Sequence, residues 1–219
     1  MKTDSQNAGQ YIKSLIQHGE NQHLDFKFEI SDARKIARTF SAFANSGGGK
    51  ILIGVKDNGR ISGIRTEEEI YMAESAAHLY CKPAVNFQVR RWSVDGRFVL
   101  EIEIPSSASR PHFARNESGE PTAYVRVGDQ NIQANRILVN FWKSEGKKRG
   151  VLLNYGREQK ILMAYLAEHQ KITLSRFVKI ARTGRAQAEK ILVDLMLLKV
   201  IAIEITDKGV YYSLGPSAS

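Results

Sequence analysis

The sequence contains one cysteine, five prolines and two tryptophans among its 219 residues. Because Cys81 has no partner in the chain, internal disulfides are excluded, and a reducing cytoplasm is the expected compartment. No apolar run approaches the roughly 20 residues that cross a bilayer. The polar start MKTDSQNAGQ lacks the apolar segment of a signal peptide. We therefore expect a cytoplasmic protein that does not bind membranes.

Acidic residues are in the minority, with 23 Asp and Glu against 32 Lys and Arg, which gives a net charge of +9. A basic balance favours an anionic partner, most commonly nucleic acid, although it also serves solubility. Residues 1–142 carry only +2 of this charge, residues 143–154 carry +3 and residues 155–219 carry +4. The last third of the chain is therefore the more basic part.

The hydrophobic pattern predicts two domains. Residues 1–142 mix strand-like alternation with short helical stripes, which is typical of an α+β domain with a mixed sheet. Residues 143–154 are predicted to be a basic linker. Residues 155–219 predict three helices followed by a hairpin, the element order of a small winged helix-turn-helix domain.

Within the first domain, the predicted elements follow from periodicity, capping residues and turn dipeptides. They are a helix over 10–19, a strand over 24–30, a helix capped by Ser31, a buried strand over 51–55, a returning strand over 60–64 after Asn58-Gly59, a helix from the Thr66 capping box to about residue 80, a hairpin over 85–104, a strand over 123–127 and a helix to about residue 142.

The stretch Gly47-Gly48-Gly49-Lys50 has the composition of a phosphate-binding loop. A Walker loop requires Gly six residues before the Lys and Ser or Thr after it, but the chain has Ala44 and Ile51 at these positions. A phosphate loop also leads from a strand into a helix, whereas here a predicted helix comes first. We therefore predict a helix end and a tight turn into a buried strand, and no ATP site.

Several motifs in a fixed order carry a family resemblance. They are E-x4-D-F-K from Glu20, then A-F-A-N-S-G-G-G, I-G-V-K-D-N-G-R-I-S-G-I, E-I-P-S-S-A-S-R-P-H-F and Y-V-R-V-G-D. Roughly residues 15–142 resemble the Schlafen/AlbA-type domain family, formerly described as divergent AAA-type ATPases. The resemblance implies a nucleic-acid-binding α+β domain, often joined in bacteria to a C-terminal winged helix, and a role in transcription regulation.

The resemblance also implies an alternative activity. Related domains of animal Schlafen proteins are metal-dependent RNA endonucleases with three acidic residues, which by motif position are Glu20, Asp25 and Asp57 here. Hard cations such as Mg²⁺ or Mn²⁺ prefer such oxygen ligands. Family members usually carry Glu at the position of Asp25, so one ligand is a methylene shorter. The alternative is that Asp57 belongs to an ordinary Asn-Gly turn and that Glu20 and Asp25 are solvated.

Candidate nucleic-acid contacts in the first domain are basic residues on predicted strands and in the loop over 105–121. Cations can neutralise phosphates, and an aromatic such as Phe113 can stack a base. A solvated loop is the alternative. The candidates are Lys27, Arg110, His112, Arg115 and Arg126.

Candidate contacts in the second domain lie at the start of its third helix and at the hairpin tip. In a helix-turn-helix, the start of the recognition helix enters the major groove, where Arg or Lys can read guanine and Gln can read adenine. The alternative is a domain that dimerises or packs on the first one. The candidates are Arg182, Thr183, Arg185, Gln187, Lys190 and Lys208.

The sequence thus predicts a DNA-binding transcriptional regulator that acts as a homodimer and requires no cofactor. The alternative function is a divalent-metal-dependent ribonuclease that uses Glu20, Asp25 and Asp57. A third is an interaction module that binds neither polymer.

Overall fold

The computed structural model describes residues 2–64, 66–145 and 155–215. By its internal contacts the chain divides into two compact units, Met1–Ala134 and Asn135–Ser219. This division falls eight residues before the boundary predicted at residue 142, because the helix that follows Asn135 packs within the second unit. Residues 146–154, most of the predicted linker, lie outside the described residues.

The first unit contains three helices and eight strands within its described residues. They are α1 (Lys2–His18), β1 (Leu24–Lys27), α2 (Ala33–Asn45), β2 (Gly49–Ile53), α3 (Glu68–His78), β3 (Cys81–Lys82), β4 (Gln88–Val94), β5 (Arg97–Ile104), β6 (Phe113–Arg115), β7 (Pro121–Val127) and β8 (Gln130–Gln133).

Strand β2 lies inside a four-stranded mixed sheet of order β1-β2-β5-β4. It is parallel to β1 and antiparallel to β5. Ile51 and Ile53 belong to the core that includes Phe40 of α2, whereas Leu52 belongs to a second core that includes Ile12 of α1. The predicted strand that is buried on both faces is thereby confirmed.

A second four-stranded sheet has the order β3-β6-β7-β8, and α2 packs against it. Phe40 and Phe43 of α2 share one core with Ile51 of the first sheet and Tyr124 of β7. The helix begins after Asp32, whose carboxylate accepts a hydrogen bond from the Arg34 amide at 2.8 Å. The sequence analysis assigned this cap to Ser31, one residue too early.

Two Gly-containing turns had been predicted to be hairpins. Asp95 and Gly96 both adopt positive φ between β4 and β5, which is the conformation that a type I′ hairpin turn requires. After Asn58-Gly59 the predicted returning strand was wrong, because Ile61 makes only an isolated bridge to Val55. There the amides of Ser62 and Gly63 both donate to the Gly54 carbonyl, so the strand ladder cannot continue.

Three further predictions need correction. The helix from Thr66 begins at Glu68, and Thr66 Oγ1 accepts from the Glu68 amide at 3.3 Å without a complete capping box. Strand β8 lies between β7 and the following helix, where the sequence analysis expected the helix to follow directly. The first helix begins at Lys2, earlier than the predicted residue 10.

The second unit contains four helices and three strands within its described residues. They are α4 (Arg136–Glu145), α5 (Arg157–Glu168), β9 (Lys171–Ile172), α6 (Leu174–Ala181), α7 (Arg185–Leu197), β10 (Ile201–Thr206) and β11 (Gly209–Leu214).

The strands of the second unit form an antiparallel sheet of order β10-β11-β9. Phe177 of α6 and Leu192 and Leu195 of α7 are fully buried. The three helices and the hairpin predicted for residues 155–219 correspond to α5, α6, α7 and the β10–β11 pair. Within the described ranges, no helix has the length and apolar character needed to cross a membrane.

Candidate nucleic-acid interface

The glycine run serves close packing between α2 and the first sheet. The amides of Ser46 and Gly48 both donate to the Phe43 carbonyl, which ends the helix. Gly48 has a φ of 77°, and a Cβ there would lie 2.8 Å from the Ile104 carbonyl oxygen. A Cβ on Gly49 would overlap the Phe43 ring. The glycines therefore form the predicted helix end and tight turn into a strand.

Lys50, the lysine after the glycines, is partly buried and pairs with an internal carboxylate. Its Nζ lies 2.5 Å from Oε1 of the fully buried Glu101 and 3.0 Å from the Tyr11 hydroxyl. The Tyr11 hydroxyl donates to the same Oε1 at 2.6 Å, and Trp92 Nε1 donates to Oε2 at 2.7 Å. The carboxylate is thus saturated by donors from α1, β2 and β4.

The ionisation of this group of side chains follows from its contacts. Burial alone raises the pKa of Glu101, but the hydrogen bonds from Lys50, Tyr11 and Trp92 outweigh it and lower the pKa. Burial opposes the charge of Lys50, yet the bonds to Glu101 and Tyr11 raise its pKa above the ordinary value. Lys50 therefore stays charged and paired, and is not available as a phosphate ligand.

Glu20 and Asp25, two of the three candidate metal ligands, lie near each other around the start of β1. Asp25 is 3% exposed, and its Oδ1 accepts from Arg126 Nη2 at 3.0 Å. Its Oδ2 lies 2.7 Å from Lys27 Nζ. Glu20 Oε1 accepts from the Phe26 amide at 2.8 Å and lies 3.9 Å from the same Lys27 Nζ. Oδ1 of Asp25 is therefore hydrogen-bonded to Arg126, whereas the buried Oδ2 has the Lys27 charge beside it but accepts no hydrogen bond from the described residues.

The electrostatics of Glu20 reflect this crowding. Burial raises the pKa of the Glu20 carboxyl, the Phe26 amide opposes the rise, and the Asp25 carboxylate adds to it.

Asp57, the third candidate metal ligand, is exposed on the turn after β2. Among the described residues, no three His, Cys, Asp or Glu side chains are grouped so that they could hold a metal ion. A shared Mg²⁺ or Mn²⁺ at Glu20, Asp25 and Asp57 therefore stays a prediction from the family resemblance.

Two predicted phosphate contacts of the first unit are internal structural residues. Arg126 is 3% exposed, and its guanidinium donates to Asp25, to the Leu24 and Asn21 carbonyls and to Asn131 Oδ1. His112 is also 3% exposed, and both of its ring nitrogens make hydrogen bonds within the unit. Neither side chain presents its polar atoms to solvent.

The other candidates of the first unit are more accessible. The Lys27 side chain is 37% exposed, although its ammonium also donates to the Phe26 carbonyl at 2.7 Å. Arg115 is exposed and donates to the Gly119 carbonyl at 2.6 Å, which shapes the β6–β7 turn. Arg110 is half-buried in the loop before β6. Lys27 and Arg126 thus meet at Asp25, whereas Arg115 lies at the β6–β7 turn and Arg110 in the loop before β6.

The candidates of the second unit are grouped and exposed. Arg182 has a φ of 49° at the end of α6, and Gly184 precedes the first turn of α7. Thr183 is half-buried between them. The exposed residues from this turn into the first half of α7 are Arg182, Arg185, Gln187 and Lys190. Lys208 is exposed in the turn between β10 and β11.

Sequence reasoning missed three contributors to this surface. Arg176 and Lys179 are exposed on α6, and their spacing of three residues, continued by Arg182, was the signal that could have found them. Glu189 accepts from Arg185 Nε at 3.1 Å and lies 3.5 Å from Arg136 Nε. We name the exposed residues Arg176, Lys179, Arg182, Arg185, Gln187 and Lys190 the α6–α7 surface.

Comparison with known proteins agrees with the fold of the first unit. The family described as Schlafen, AlbA_2 matches residues 20–135, which is more than half of the chain. No curated protein matches.

Two solved structures are similar to the chain. The DIP2311 protein from Corynebacterium diphtheriae has 20% sequence identity and a TM-score of 0.48, and the match covers 97% of this chain and 44% of that one. The N-terminal domain of a RecG-related protein from Nitrosomonas europaea has 19% identity and a TM-score of 0.42, and the match covers 68% of this chain and 96% of that one. The chain spans less than half of the Corynebacterium protein. On the family match, this chain belongs to the Schlafen AlbA_2 family.

Proposed function

We propose that this protein is a DNA-binding transcriptional regulator that binds duplex DNA through the α6–α7 surface. The second unit is interpreted as a winged helix-turn-helix, with α6 and α7 as the helix pair and the β10–β11 hairpin as the wing. The observation that carries the proposal is the exposure of Arg182 at the end of α6 and of Arg185, Gln187 and Lys190 in the first half of α7.

The charge and side-chain types of this surface support duplex DNA as the ligand. Five of its six members are cations, and cations that neutralise phosphates release counterions and give salt-dependent affinity. Gln187 and the neighbouring cations are the side-chain types that read adenine and guanine in the major groove. Lys208 at the hairpin tip is suited to a phosphate contact.

In this proposal the AlbA_2 unit has a supporting role. Its predicted contacts Arg126 and His112 are buried, while Lys27, Arg110 and Arg115 keep some exposure and can add phosphate contacts.

A homodimer is part of the proposal, because paired recognition helices read half-sites about 34–36 Å apart. The quantity to measure is the mass of the free and DNA-bound protein in solution.

The test compares duplex DNA with structured RNA. Purified full-length protein is titrated against each polymer over a salt series, with EDTA in one arm and Mn²⁺ in the other. We expect DNA binding that needs no metal and weakens steeply with salt. A failure to bind either polymer at low salt would overturn the proposal.

The ribonuclease stays a prediction from the family resemblance. Oδ1 of Asp25 is held by Arg126, Lys27 lies beside Oδ2, and Asp57 is exposed on a turn, so we derive no metal-dependent step for it. The Mn²⁺ arm of the same experiment tests it directly. RNA cleavage that EDTA stops, and that is lost in both Glu20→Gln and Asp57→Asn, would establish the enzyme instead.

A further inference from the structure

A polar cavity of about 310 Å³ opens in the first unit, and its lining does not include Glu20. Three segments form it: the end of α2 at Ala44, the loop over Pro83–Asn86 and the loop over Pro105–Ser109. His112 completes the lining. No function considered so far uses this cavity.

Ser107 and His112 are hydrogen-bonded to each other at this cavity. Ser107 Oγ lies 2.7 Å from His112 Nε2. On the other side of the ring, His112 Nδ1 lies 2.9 Å from the Pro83 carbonyl oxygen. A carbonyl oxygen can only accept, so Nδ1 carries the proton. In the neutral ring Nε2 is then the acceptor, and the Ser107 hydroxyl must donate to it.

The surroundings hold this pair in one arrangement. The His112 amide donates to Asn45 Oδ1 at 2.8 Å, and the His112 carbonyl accepts from Asn45 Nδ2 at 2.8 Å. The Ser109 amide donates to Ser107 Oγ at 3.0 Å, which orients the oxygen from the other side. The imidazole is 97% buried, whereas Ser107 keeps partial exposure at the cavity.

A hydroxyl that donates to an oriented imidazole is the general arrangement of an activated nucleophile. The serine supplies the attacking oxygen, the imidazole removes its proton, and a third group fixes the tautomer of the imidazole. Here the third group is the Pro83 carbonyl. Asn86 lines the same cavity and offers a side-chain amide donor to a developing oxyanion.

We propose that Ser107 is a nucleophile that His112 activates, and that the cavity accepts small carboxylic esters that transfer their acyl group to Ser107. In the first step the bond from Ser107 Oγ to the acyl carbon forms and the ester bond to the alcohol breaks. The hydroxyl proton passes to His112 Nε2 and then to the departing alcohol. Water repeats the sequence on acyl-Ser107 and releases the carboxylic acid, so the net reaction is ester hydrolysis.

The experiment uses the full chain and two reagents. p-Nitrophenyl acetate reports turnover through nitrophenol release, and an alkyl fluorophosphonate traps the serine for peptide mapping by mass spectrometry. Ser107→Ala is the test variant, and Ser93→Ala is the control, because Ser93 is exposed on β4 and does not line the cavity. In the unmodified chain, Ser109 is the comparison serine for labelling, because it lines the same cavity.

We expect the fluorophosphonate to label Ser107 and not Ser109. Ser107→Ala should lose both the label and the nitrophenol release, while Ser93→Ala keeps both. His112→Gln should slow labelling by about 10²–10⁴-fold, the usual contribution of a general base.

Circular dichroism checks that His112→Gln folds. If it does not fold, the ratio of Ser107 to Ser109 labelling in the unmodified chain tests the proposal. Equal labelling of the two serines, or full nitrophenol release by Ser107→Ala, would overturn the proposal.

Discussion

Lys50 Nζ of β2 lies 2.5 Å from Oε1 of Glu101 on the neighbouring strand β5. Because Glu101 is fully buried, this ion pair decides the role of the lysine that follows the three glycines. Lys50 neutralises an internal carboxylate, and the hydroxyl of Tyr11 joins the pair to α1. The stability of the first unit should therefore depend on both charges.

Removal of the Lys50 charge should destabilise the protein strongly. In Lys50→Met the stem is retained but Glu101 is left buried without its cation, and breaking such a pair costs about 3–5 kcal/mol. Urea denaturation measures the free energy of unfolding. Lys82→Met, at an exposed lysine of the same unit, is the control and should stay within about 0.5 kcal/mol. Equal free energies for the two variants would contradict the assignment.

The same pair predicts an acid dependence of stability. The folded-state pKa of Glu101 is lowered below the unfolded value of about 4.3, so between these two values the unfolded chain binds the proton more readily. The contribution of Glu101 is present above pH 4.3 and is lost as the pH falls through the folded pKa. Glu101→Gln should thus have a shallower decline in unfolding free energy below pH 4.3, measured by urea titration at each pH. Parallel curves of unfolding free energy against pH for Glu101→Gln and the unmodified chain would contradict this role of Glu101.

Asn45 should be a major stabilising residue of the first unit. Its amide donates to the His112 and Tyr124 carbonyls at 2.8 and 3.0 Å and accepts from the His112 amide at 2.8 Å. Asn45→Ala removes all three hydrogen bonds, although the His112 carbonyl keeps its bond from Ser41 Oγ, and each buried group left without a partner costs about 1–3 kcal/mol. The melting temperature should fall sharply, while Asn58→Ala on an exposed turn changes it little. A similar small change in both variants would show that Asn45 is dispensable.

Cys81 should be inert in the folded protein. Burial raises the pKa of its thiol to about 12, so the reactive thiolate is scarce at neutral pH. Iodoacetamide should alkylate Cys81 only after unfolding, as followed by intact mass with and without urea. Rapid alkylation of the native protein would show that β3 opens readily.

Much of the fold could be predicted because its strongest signals are local. The apolar run at Ile51–Ile53, the Asp95-Gly96 turn and the stripe of α7 each predicted the element that the structure contains. Strands β3 and β9 have only two residues each, too few for any periodicity. Their pairing is determined by distant partners such as Ala114 and Tyr212.

The site was less predictable, because burial and pairing depend on distant residues. Arg126 and Arg182 carry the same charge, so the sequence alone does not distinguish their roles. The Arg126 guanidinium pairs with Asp25, 101 residues earlier in the chain, and this pairing buries it. By contrast, the exposure of Arg182 follows from local helix periodicity and the short turn before α7. Cationic residues of a buried strand were therefore the least safe predictions.

The most direct test of the proposed function compares Lys190→Gln with Lys199→Gln in duplex DNA binding. Lys190 is exposed in the first half of α7, and Lys199 is exposed just beyond its C-terminal end. Each variant removes one positive charge, so any difference reports position and not net charge.

Affinities are measured by fluorescence anisotropy over a salt series with the unmodified chain alongside. The α6–α7 proposal predicts weaker binding by Lys190→Gln, with a salt slope reduced by about 1, and no change in slope for Lys199→Gln. Identical affinities and slopes for both variants and the unmodified chain would contradict it.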